Sequence, residues 1–89
     1  MQKENITIQN KLGLHARASM KLINVAGRFE SDIIIKHGNT QVDAKDIMNV
    51  MGLAASKGTD IELITQGTDE IEAMDAIKAL IEDRFGEEE

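Results

Sequence analysis

The sequence predicts an α+β domain, one four-stranded antiparallel sheet with three helices on one face in the order βαββαβα. Three observations lead there. Eighty-nine residues, 42% of them hydrophobic, make one domain with one core, so residues 1–89 are read as a single unit. Short β-branched or alternating segments recur between helical periodicities. Helices so divided in a short chain cannot cover both faces of a sheet.

Glu4 to Gln9 alternates, with Ile6 and Ile8 on one face, and reads as the first strand; Asn10 to Gly13 is a turn. A helix follows from about Ala16 to Arg28. At about 100° per residue, Ala18, Leu22, Val25, Ala26 and Phe29 form the core face, and Arg17, Lys21, Asn24 and Arg28 a polar face. Ala16, Met20 and Ile23 make a second apolar strip, roughly opposite the core face, where a surface helix needs only one. Asp32 to Lys36, with Ile33, Ile34 and Ile35, is a buried strand. It turns at His37-Gly38-Asn39 into a short returning strand, Thr40 to Asp43.

Asp46 caps a short helix through about Leu53, because a carboxylate accepts from the free N–H groups of a first helical turn. Ile47, Val50, Met51 and Ala54 are expected inside, with Met48 and Leu53 elsewhere. Lys57-Gly58 breaks the chain before the strand Ile61 to Gln66. Thr68 is the expected cap of a last helix reaching Phe85, with Ile71, Met74, Ile77, Ile81 and Phe85 as its buried face. Gly86 stops it, and Glu87-Glu88-Glu89 reads as a solvated tail.

Composition narrows the function. Cysteine is absent, so there is no thiolate metal site and no disulfide, as suits a reducing cytoplasm. No apolar run approaches spanning length and no signal-peptide order opens the chain, so neither membrane insertion nor export is expected. Phe29 and Phe85 are the only aromatics, too few for a base-stacking surface. Charge is segregated: residues 1–58 carry a net +3 and residues 59–89 a net −9, giving −6 in total. A basic region on an acidic protein favours an acidic protein surface as partner over nucleic acid.

The chemistry concentrates in Leu12-Gly13-Leu14-His15-Ala16-Arg17-Ala18-Ser19. His15 stands at the mouth of the first helix. A neutral imidazole nitrogen is a good nucleophile toward phosphorus, and free helix N–H groups with Arg17 suit the charge of a phosphoryl group. Gly13 permits an unusual turn just before the histidine. No cofactor and no metal are required, and no ligand cluster for one is visible. An enzyme acting by itself is a poor fit, since there is no general acid–base pair and no phosphate-cradling glycine loop.

Gly13 to Ser19 resembles the active-site signature of the HPr family, the histidine-containing phosphocarriers of the bacterial phosphotransferase system. Ala44-Lys45-Asp46-Ile47-Met48 and Ala55-Ser56-Lys57-Gly58 extend the resemblance over essentially the whole chain. The resemblance implies an open-faced β-sandwich. It implies that His15 is phosphorylated on Nδ1 by phospho-enzyme I and passes the group to a IIA-type domain, in sugar uptake or a nitrogen-related relay. Arg17 and the main-chain N–H groups of Ala16 and Arg17 would hold the phosphoryl group. An apolar ring of Met20, Ile47, Met48 and Met51 would meet partners, with Lys21 and Lys45 on its charged rim. Thioethers suit a surface that must fit several partners.

Asp46 departs from the pattern. Many relatives carry a serine there as a regulatory phosphorylation site, and this chain has no hydroxyl to modify. As a standing negative charge, Asp46 would partly mimic the phosphorylated state. The expected assembly is a monomer. The alternative function is a regulatory protein that binds partners through the same patch without transferring phosphate.

Overall fold

The computed structural model describes residues 1–89. The elements are β1 (Gln2–Thr7), α1 (Ala16–Ala26), β2 (Asp32–His37), β3 (Thr40–Asp43), α2 (Ile47–Gly52), β4 (Asp60–Gln66) and α3 (Glu70–Glu82), closed by a 3₁₀ turn at Arg84–Gly86. The strands form one sheet in the order β1-β4-β2-β3, every pair antiparallel. This is the open-faced α+β sandwich, in the predicted order of elements.

Register explains which face is covered. Ile6 lies opposite Ile61, Ile35 opposite Leu63 and Ile33 opposite Thr65, and all six side chains are buried. Directly paired residues share a face, so Glu4, opposite Leu63, points the same way. It meets Lys78 of α3 at 2.8 Å, which places that helix over this face. Leu22, Val50, Ile77, Ile81 and Phe85 complete the core from the helices and the closing turn. Each such side chain contributes about 1.5–3 kcal/mol of burial free energy. On the opposite face Ile34 and Ile64, also paired, stay half-exposed.

Several expectations are corrected. In α1, Ala18, Leu22 and Ala26 are buried as read, whereas Val25 and Phe29 only lean on the core, and the helix stops at Ala26. Ser19 is buried as well, its hydroxyl donating to the Leu14 carbonyl at 3.1 Å. In α2 the inward residues are Val50 and Leu53, while Met51 and Ala54 face outward. The helix is too short for its period to extend to Ala54, which takes a left-handed backbone (φ 51°) and turns the chain. The α3 cap is Asp69, not Thr68, and its carboxylate is spent elsewhere. It accepts from the main-chain N–H groups of Glu30 and Ser31 and from the Ser31 hydroxyl. Ile71 is exposed, and Phe85 is wholly buried beyond the end of the helix.

Candidate functional site

The loop before α1 is closed by its own polar groups. Gly13 has φ +66°, its N–H donates to the Asn10 carbonyl at 3.1 Å, and its carbonyl accepts from Asn10 Nδ2 at 2.8 Å. The next N–H, of Leu14, donates to the Ala55 carbonyl at 2.8 Å, tying the loop to the chain ahead of β4. Leu14 is buried. The residue after it, His15, is therefore fixed at the rim of the core.

His15 is the N-cap of α1, with extended backbone (φ −73°, ψ 178°). A ring nitrogen takes the part usually played by a Ser or Asp oxygen. Nδ1 accepts from the Arg17 N–H at 3.2 Å. The other nitrogen, Nε2, lies 2.5 Å from Glu87 Oε2. A main-chain N–H can only donate and a carboxylate can only accept. The neutral tautomer that satisfies both carries its proton on Nε2 and leaves the Nδ1 lone pair at the open end of the helix. The ring is 27% exposed.

Of the acidic tail, Glu88 and Glu89 are exposed as read, but Glu87 is not freely solvated. Glu87 is half-buried, and its second oxygen accepts from Asn10 Nδ2 at 3.0 Å. That hydrogen bond first, and the histidine second, hold its carboxyl below the usual range against the opposing effect of burial. The Glu89 carbonyl accepts from the Lys11 N–H at 2.9 Å, and its side chain pairs with the Lys11 ammonium at 3.3 Å. Tail and helix mouth line an open depression of about 830 Å³ that includes Lys11, His15, Arg17 and Glu87. Arg17 is exposed, and its guanidinium makes no ion pair within the chain. Ala16 is exposed beside it.

The remaining named residues flank this site on α1, α2 and the α2 entry. The two helices pack together, and Met20, Met48 and Met51 are exposed at 47%, 76% and 41%. Ile47 is half-buried. Leu12, exposed at 67%, belongs to the depression and was not singled out from sequence. The Lys45 ammonium donates to the Phe29 carbonyl at 2.8 Å and the Lys21 ammonium to the Phe85 carbonyl at 2.6 Å, so both carry internal bonds. Asp46 caps α2 by accepting from the N–H groups of Met48 and Asn49, and its other oxygen takes the Asn49 amide. No three His, Asp or Glu side chains converge as a metal site would require.

Glu87 is the site residue of most chemical consequence that sequence reasoning missed. Its signal was Phe85: a large apolar residue just past the helix must be buried, and burying it brings the next residues back to the surface of the core.

Comparison with known proteins identifies the family. The family model for the PTS HPr component phosphorylation site matches residues 2–83. Phosphocarrier protein HPr of Cupriavidus necator is 56% identical over 89 residues, covering all of both chains. The crystal structure of HPr-C-His from Thermoanaerobacter tengcongensis superposes with a TM-score of 0.96 at 43% identity over the full length of both. An HPr dimer from the same organism gives 0.79 at 42% identity, covering 98% of this chain and 100% of that one. The chain belongs to the HPr family, the phosphocarriers of the phosphotransferase system, and is a phosphoryl carrier rather than an enzyme.

Proposed function

We propose that His15 Nδ1 takes a phosphoryl group from phospho-enzyme I and gives it up to a IIA-type domain. The observation that carries this reading is the placement of Nδ1: its lone pair meets a helix N-terminal amide, beside an unpaired guanidinium and an open depression. On transfer, the Arg17 N–H turns from Nδ1 to a phosphoryl oxygen. The Ala16 N–H, an orphan of the first helical turn, joins it. The Arg17 side chain adds a charge-assisted bond. Transfer of this kind is mainly positioning and charge stabilisation, and the partner completes the site.

Met20, Ile47, Met48 and Met51 form the apolar part of the docking surface, with Lys21 and Lys45 at its rim. A carrier must leave each partner, so this interface is small and of modest affinity. The working unit is residues 1–89 as one domain, acting as a monomer in the cytoplasm.

Incubation with enzyme I and phosphoenolpyruvate tests the proposal. The expected product is an acid-labile, base-stable phosphate that His15→Ala abolishes and that a IIA-type domain then accepts. A chain that binds enzyme I yet takes no phosphate would be a binding-only regulator, and the proposal would fail.

A further inference from the structure

We propose that Glu87 is a positioning residue for phosphoryl transfer, holding the proton of His15 on Nε2 so that Nδ1 stays free to attack. The inference rests on His15 being the phosphoryl acceptor.

The contact is built rather than incidental. Phe85 is wholly buried and anchors the segment, with Arg84 and Phe85 both in left-handed backbone (φ 56° and 55°). Non-glycine residues adopt that region at a cost, and keep it only where the surroundings enforce it. Lys21 holds the Phe85 carbonyl and Lys11 holds Glu89, so Glu87 is fixed on both sides. Asn10, completely buried, joins the tail to the histidine loop. Its Nδ2 donates to Gly13 and to Glu87, and its Oδ1 has no partner. Each Glu87 oxygen thus has one assigned donor: Asn10 on Oε1, His15 on Oε2.

The chemistry makes use of this. The donor is a phosphoramidate, such as a phosphohistidine of the partner. The Nδ1 lone pair forms the new N–P bond; the donor's N–P bond breaks, and its electron pair stays on the donor nitrogen. No proton moves. The His15 ring, neutral before transfer, becomes cationic with its proton still on Nε2. Glu87 faces that nitrogen, across the ring from the incoming phosphorus, and its charge meets the ring cation at the moment it forms. The reverse step returns the ring to neutrality without a base. A carboxylate that fixes a histidine tautomer and stabilises its cation is an established catalytic arrangement in other settings.

Glu87→Gln is the sharpest test. A glutamine offers one acceptor oxygen where the site has two donors, so its NH₂ must confront either Asn10 or Nε2. The full chain, with ¹⁵N-labelled histidine, is read by long-range ¹H–¹⁵N correlation for the tautomer. It is also assayed with enzyme I and phosphoenolpyruvate for the initial rate of phosphorylation. Loss of one charge-assisted hydrogen bond should lower both the Nε2–H preference and the rate by about tenfold. Phe85→Ala, which frees the tail but keeps Glu87, should move both readouts in the same direction. If Phe85→Ala does not fold, Glu87→Gln, half-buried but outside the core, still decides. An unchanged tautomer and rate in Glu87→Gln, with wild type charged and His15→Ala inert, overturns the role of Glu87 and leaves the carrier intact. Faster charging of Glu87→Gln also overturns it and makes the tail a brake. A wild-type chain that takes no phosphate overturns both readings.

Discussion

Gly13→Ala probes how the histidine is held. A Cβ built at Gly13 lies 2.4 Å from the Ala55 carbonyl oxygen and 2.8 Å from Ser56 Cα. Both are backbone atoms and cannot swing aside. That same carbonyl accepts the Leu14 N–H, so relieving the clash breaks the tie that fixes the residue before His15. The backbone also has φ +66°, which costs an L-residue about 1 kcal/mol. Overpacking adds about 1–3 kcal/mol, for about 2–4 kcal/mol in all.

Gly38→Ala is the control. Gly38 has a similar φ, +60°, but no heavy atom within 4 Å of an added Cβ, so only the backbone cost of about 1 kcal/mol applies. In a domain this small, 1 kcal/mol shifts Tm by about 4–8 °C. Calorimetry should therefore place Gly38→Ala about 4–8 °C below wild type, and Gly13→Ala about 8–32 °C below it. Phosphorylation of His15 should fall in Gly13→Ala and hold in Gly38→Ala, which lies in the β2–β3 turn. Equal Tm losses, or full phosphorylation of Gly13→Ala, would refute the view that the Ala55 contact sets the histidine.

Two further outcomes are expected. Asp46→Ser keeps an N-cap oxygen and removes the charge, so the unfolding free energy from urea melts should stay within a few tenths of a kcal/mol of wild type. If the charge repels an acidic partner, phosphorylation by enzyme I at low salt should rise a few-fold, and an unchanged rate ends that idea. Stability should also fall in acid. The Ser31 hydroxyl and Glu30 N–H lower the Asp69 carboxyl, the amino terminus and Gly67 N–H lower that of Glu70, and Asn10 lowers that of Glu87. Below their ordinary values of 3.8 for Asp69 and 4.5 for the two glutamates, the unfolded chain binds more protons than the folded one. The stabilisation is complete above that range and is lost as pH drops through the lowered values. Urea midpoints measured from pH 6 to pH 2 check this, and Asp69→Asn should flatten part of the slope.

Local signals made much of the fold legible. Asp46 declares its cap because its partners lie two and three residues away. β1 declares itself by alternating isoleucines, β2 by its run of Ile33, Ile34 and Ile35, and α1 by Ala18, Leu22 and Ala26. The misreadings have two causes: distant partners at Asp69 and Glu87, and helix ends at Ala54 and Ile71. Asp69 holds the N-cap position of α3 without a local cap bond, because Ser31, 38 residues away, claims its carboxylate. Ile71 fits the periodicity of α3, yet it sits in the first turn and is 58% exposed. His15 and Arg17 were legible as a pair because helix N-termini and anions obey a local rule. Glu87 obeys no local rule.

The charge map shows what that distance hides. In sequence the basic region ends near residue 58 and the acids follow. In space the last acids return to the most chemically committed part of the basic region, with Glu87 on His15 and Glu89 on Lys11. An acidic partner therefore does not meet the full positive balance of residues 1–58. Lys11 is paired, and Lys21 and Lys45 are tied to carbonyls, which leaves the Arg17 guanidinium as the uncommitted cation beside His15. On the proposed function, an incoming phosphoryl group would be steered by one exposed fork and a set of fixed amides, rather than by a broad basic field. Such a site favours a small, directed charge over an extended polyanion. The tail would sharpen that choice by pairing with Lys11, whose charge the proposed transfer does not use.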